Sequence, residues 1–174
     1  MKALRFVIAI LTMLAAFAPA QENGVPVGGK WTKFETEDKM TGEKRVKFDL
    51  PADNYLANGD RRPDVMIFCV GGKLKLADFH PNFRLAGPNR ASFWGRPQMR
   101  VMVRVDNHHS KHNWNWVNGD FLAMDEDTAR EVLGANIFKV EFVTRDGPQI
   151  AEFSPAGIDL GQVRQACGLK PEKP

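Results

Sequence analysis

The sequence predicts a mainly β protein: an antiparallel β-sandwich or curled sheet carrying two short helices. Three observations lead there. Apolar and polar residues alternate with period two over most of the chain, the pattern of a strand with one buried face. Turn dipeptides separate these runs at short intervals, so neighbouring strands pair as antiparallel hairpins. Only two segments, one near residue 130 and one near the C-terminus, change to helical spacing.

Trp31, Phe34 and Thr36 open a first strand, and Met40-Thr41-Gly42-Glu43 turns it. Val46, Phe48 and Leu50 then alternate with Arg45, Lys47 and Asp49, a half-buried strand. The polar stretch from Pro51 to Arg62 reads as a loop. Val65 to Val70 is continuously apolar, as in a strand buried on both faces or a bulged one. Gly71-Gly72 is a hairpin turn, and Lys73 to Phe79 returns in strict alternation. His80 to Arg96 holds Pro81, Gly87-Pro88 and Gly95 and is mostly loop, with Phe93-Trp94 docking on the core. Met99, Val101, Val103 and Val105 mark the next strand. Asn107 to Asn113 reads as a polar turn leading into the strand Trp114 to Val117, and Asn118-Gly119 turns again.

Asp125 is an N-cap with Glu126 and Asp127 in the first helical turn; Ala129, Val132 and Leu133 form the stripe and Gly134 the stop. Ile137 to Val143 and Gln149 to Phe153 are strands joined at Asp146-Gly147. Ser154-Pro155 opens a last helix, with Leu160, Val163, Ala166 and Cys167 on one stripe and Gly168 at its end. The sum is eight strands and two helices; a core filled by Phe48, Ile67, Leu76, Val103 and Phe142 would argue against a ligand cavity between the sheets.

Residues 1–20 have the form of a cleavable secretory signal. Lys2 and Arg5 precede the apolar run Phe6 to Phe17, and Ala18-Pro19-Ala20 is the small-x-small cleavage pattern. The run is shorter than the roughly 20 residues that span a bilayer. Cleavage leaves one domain, residues 21–169, and a tail, 170–174, expected to be disordered. A periplasmic or secreted protein, not integral to the membrane, is the expectation. Without Lys2 and Arg5, 22 basic side chains face 21 acidic ones, which excludes the electrostatic footprint of a nucleic-acid binder. Cys69 and Cys167 are the only cysteines, and in an oxidising compartment they are expected to pair, tying the last helix to the sheet.

Motifs of known chemistry are absent from the sequence: no Gly-x-Ser-x-Gly, no Cys-x-x-Cys, no His-Glu-x-x-His and no phosphate-binding loop. The unusual segment holds three of the four histidines, His108, His109 and His112. Neutral imidazole suits Zn²⁺ or Cu²⁺. A loop loses entropy on ordering around a metal, so weak binding at most is expected and no resident cofactor. Trp114 and Trp116 lie two apart and share a strand face, as paired core aromatics or as an aromatic platform for a partner. Arg61-Arg62 and the pair Arg100 and Arg104 are candidate anion binders or a solvated face.

The layout of Trp31, Arg62-Pro63 before Cys69, Gly72-Lys73, Trp116, and Phe153-x-x-x-Gly157 before a helix ending in Cys167 resembles the VasI-like accessory proteins of type VI secretion and related exported β-sandwich domains. The resemblance covers most of the mature chain and implies no catalytic residues. The function expected is a non-enzymatic exported domain that binds a protein or cell-envelope component. The alternatives are a metal-binding protein or metal-dependent enzyme using His108, His109 and His112 with Asp106, and a small-ligand binder with a cavity between the sheets.

Overall fold

The computed structural model describes residues 23–57, 59–91 and 94–169. The expected signal segment, the tail, Asn58 and Phe93 lie outside the described residues. The strands are β1 Val25–Pro26, β2 Thr32–Glu37, β3 Lys44–Pro51, β4 Asp64–Val70, β5 Lys73–His80, β6 Arg90–Ala91, β7 Pro97–Val105, β8 His108–Val117, β9 Phe121–Ala123, β10 Phe138–Thr144 and β11 Gly147–Phe153. The helices are α1 Glu126–Gly134 and α2 Leu160–Cys167. All pairings between strands are antiparallel, in the order β1-β2-β3-β4-β5-β9-β8-β7-β10-β11, with β6 beside β7. The mainly β fold expected from alternation is therefore present, and each of its eight long strands overlaps one of the eight strands read from the sequence.

The sheet folds over on itself. Phe79 of β5 meets Phe142 of β10 at 4.9 Å between ring centroids, and Phe153 of β11 at 6.2 Å and Trp114 of β8 at 6.3 Å. Strands β10 and β11 stand four and five places from β5 in the sheet order, so the contacts define a core between two layers of one sheet. Phe48, Ile67, Val103 and Phe142 are buried there. The loop after β3 covers the free edge of β11. Asp53 N–H donates to Glu152 O at 2.7 Å, and the Asn54 amide imitates a strand, donating to Ile150 O and accepting from Glu152 N–H, both at 2.9 Å. Unpaired edge groups are thereby satisfied.

The structure differs from the sequence reading at several places, besides the short strands β1, β6 and β9 that it adds. Residues 108–113 are strand, not turn: β7 and β8 are joined by Asp106-Asn107 alone, with Val105 opposite His108 and Asp106 at φ 49°. The misleading polarity has a cause. Over residues 108–114 β8 pairs with β7 only, because β9 reaches just Asn115–Val117, and a strand open on one edge carries polar residues. In β5, Cys69 pairs with Leu74 and Phe68 with Leu76, so Lys75 is an extra, bulged residue. The bulge turns Leu76 outward, 41% exposed, and gives the core place to Leu74. Trp94 is 84% exposed and does not dock on the core. The last helix starts at Leu160 with Asp159 as its cap, not at Ser154-Pro155.

Helix α1 begins where expected. Asp125 accepts from Thr128 N–H, and Thr128, Ala129, Val132 and Leu133 are buried. Helix α2 buries Val163 and Cys167, and Cys167 forms the disulfide with Cys69 of β4, Cα atoms 4.9 Å apart. Gly168 ends it at φ 62°. A Cβ on Gly168 would stand 2.4 Å from Gly72 O, so only glycine permits both the left-handed turn and this approach.

Candidate functional site

On β8 the side chains alternate, so His108, Ser110, His112 and Trp114 take one face and His109 and Lys111 the other. The three histidines marked by the sequence do not converge. Among the described residues no group of three or more His, Cys, Asp or Glu side chains is placed to hold a metal ion. His108 and His109 are exposed, while His112 is drawn into a polar seam between β8 and α1. Its Nδ1 lies 2.8 Å from Asp125 Oδ2 and its Nε2 2.7 Å from Ser110 Oγ. Burial alone would raise the Asp125 carboxyl. The Thr128 N–H and hydroxyl, the Trp114 indole N–H and His112 outweigh it and hold the group below the usual carboxylate range.

Both tryptophans point to the core side of the sheet. Trp114 is fully buried against Phe79 and offers no platform to a partner. Trp116 is half-buried and donates its indole N–H to Ala86 O at 2.9 Å. The period-two reading of a shared face is correct, and packing decides between core and surface.

The opposite, outward face of β3, β4 and β5 gathers carboxylates that the sequence reading passed over. Asp49 and Asp78 both stand opposite Met66, and Asp64 stands opposite His80. Diagonal neighbours on one sheet face are roughly 7–8 Å apart, so Asp64 lies between the other two. One carboxylate oxygen of each, Oδ1, is buried with no hydrogen-bond partner among the described residues. Burial, and then the charge of Asp64, push the Asp49 carboxyl up to about 6, against the pull of Lys47 and His80. Burial likewise raises Asp64, although Asn82 donates to it at 2.8 Å. Asp78 is only 3% exposed, and His80 Nε2 lies 3.8 Å from its Oδ2.

His80 links this acidic layer to open solvent. Its ring stacks on Phe121 at 4.8 Å and 17°. It lines a cleft of about 430 Å³ with Arg61, Asn82 and Arg84, bordered by Asp60 and Asp120. Asn82 is fixed at φ 52°, its amide bonded to Arg62 O and Asp64 Oδ2, so the loop carrying Arg84 is anchored to β4. Among the described residues neither Arg61 nor Arg84 has an ion-pair partner within 4.0 Å. Arg62 instead lies over the Tyr55 ring at 4.9 Å, and Arg104 donates to Asp106 O at 2.7 Å. Of the arginines marked by the sequence, Arg61 alone joins this cleft. The legible signal for the rest was aspartate in strands, since Asp is depleted there and yet occurs at 49, 64 and 78.

No protein-family model matches the chain, and no curated protein matches it. Among solved structures the chain is similar to the invasion associated protein B of Bartonella henselae, at 11% identity and a TM-score of 0.43, over 83% of this chain and 92% of that one.

Proposed function

We propose that the chain is an exported binding domain whose His80 cleft receives an acidic group, carboxylate or phosphate, of a protein or cell-envelope component. The observation that carries this is the pair of guanidinium groups, Arg61 and Arg84, lining one open cleft with neither held in an ion pair within 4.0 Å among the described residues. Guanidinium matches planar or tetrahedral oxyanions through paired N–H donors. Asp60 and Asp120 on the same cleft suit an ammonium or hydroxyl beside the acidic group of one ligand. The signal-like segment and the disulfide support work outside the cytoplasm.

Titration of the mature protein with inorganic phosphate, followed by amide NMR, tests the reading. Shifts are expected at His80, Asn82 and Arg84, weakening with added salt. The Arg61→Ala, Arg84→Ala double variant should abolish them while its other resonances stay in place. Shifts centred elsewhere, or unchanged in the double variant, would overturn the assignment.

A further inference from the structure

The hydrogen-bonded series Ser110, His112, Asp125 goes beyond what capping α1 requires. The cap is complete once Asp125 Oδ1 accepts the Thr128 N–H at 2.8 Å. Its other oxygen, Oδ2, faces His112 Nδ1 at 2.8 Å and accepts the Trp114 indole N–H at 2.9 Å. A carboxyl held below its usual range is ionised at neutral pH and only accepts, so Nδ1 of His112 carries the hydrogen. Nε2 of the neutral ring is then an acceptor, and the Ser110 hydroxyl, 2.7 Å away, donates to it. Nucleophile, base and orienting carboxylate stand in the order that activates a serine. Such a set is identified by geometry and role, whatever its place in the chain.

We propose that Ser110 is a base-activated nucleophile that takes the acyl group of small esters. Ser110 is half-exposed and the His112 side chain 21% exposed, so a small acyl donor reaches both. The ladder also supplies an oxyanion donor. Residues 108, 110 and 112 turn their backbone groups toward β7, and alternation turns the Lys111 N–H to the other edge, where β9 provides no partner. An amide one residue after the nucleophile is a recurrent oxyanion donor. Ser110 Oγ forms a bond to the ester carbonyl carbon as its proton passes to His112 Nε2. Collapse of the tetrahedral adduct breaks the bond to the alkoxide, which leaves with that proton. Water repeats the sequence on the acyl-serine, releasing the acid and restoring Ser110. Asp125 and Thr128 act as positioning residues.

This activity is separate from the His80 cleft, and each can fail without the other. The test is labelling of the native protein with a fluorophosphonate probe, located by peptide mass spectrometry. Modification at Ser110 is expected in the folded chain and not in the heat-unfolded one. Ser110→Ala should remain folded and unlabelled. His112→Gln should label about a hundredfold more slowly. Equal labelling of Ser110 in folded and unfolded wild type, or equal rates in wild type and a folded His112→Gln, would overturn the proposal. The comparison of folded with unfolded wild type decides the matter even if His112→Gln does not fold.

Discussion

Asp49 shows how a single residue can set the pH response. Burial, and secondarily the Asp64 charge, raise its carboxyl to about 6. A raised carboxyl binds its proton more tightly in the folded chain than in the unfolded one. Folding is therefore favoured as pH falls through about 6 toward the unfolded value near 4, and loses that contribution above 6. The wild type is expected to melt at a higher temperature at pH 5 than at pH 7.5. Asp49→Asn keeps the shape and removes the charge, so it should raise the Tm at pH 7.5 by a few degrees and flatten the profile between pH 5 and 7.5. Thermal melts of the two proteins across that range check it; a variant less stable at pH 7.5 would contradict this account. The sequence showed Asp49 as one polar position in an alternating run. Its crowding depends on the register that sets Asp49 and Asp78 against Met66, which no local pattern encodes.

At the scale of elements, the seam of β8 and α1 carries the energetics of the histidine segment. The Thr128 hydroxyl is fully buried and donates to Asp125 at 2.8 Å and 3.0 Å. Thr128→Val keeps the volume and the N–H of the cap but removes this donor, and should cost about 1.5–3 kcal/mol, the range for hydrogen bonds to charged groups. Asp125 is depressed in the folded chain, so its contribution is present above the ordinary carboxyl value of 3.8 and is lost as pH falls through the folded one. The deficit of Thr128→Val should therefore be full at pH 7 and shrink toward pH 3, as urea unfolding at the two pH values would show. Gly168→Ala tests the opposite end of the molecule. The left-handed φ of 62° alone costs about 1–2 kcal/mol for an L-residue. The contact with Gly72 O adds to that, so a loss greater than for alanine at exposed Gly134 is expected in the same unfolding assay. Helix α1 was legible because its cap, acidic first turn and stripe lie within ten residues. The β5 bulge was not, because an inserted Lys75 leaves the alternation of letters intact while placing Leu74 and Leu76 on opposite faces. The open edge of β8 misled for a related reason: its polarity reflects an absent neighbour in the sheet, a property of topology.

For the molecule as a whole, the Cys69–Cys167 disulfide is the long-range tie, closing a separation of 98 residues that contains everything from β5 to α2. Helix α2 has eight residues, too few to be stable alone in water, and it contributes two buried side chains, Val163 and Cys167. The bond therefore does most where the noncovalent hold on the sheet is weakest. In the chain-entropy model a loop of this length gives up to about 4–5 kcal/mol, with measured gains often smaller. Cys167→Ser should lower the Tm of the protein, and reductant should lower the wild type by a similar amount while leaving the variant unmoved. The Cys69→Ala, Cys167→Ser double variant should match the single one apart from the small core gap left at buried Cys69. Because α2 seats mainly against β4 and β5, hydrogen exchange should show the loss of protection concentrated in α2, β4 and β5. A wild type whose Tm ignores reductant, with both thiols accessible to label on denaturation without it, would show that the tie is not formed in the native protein.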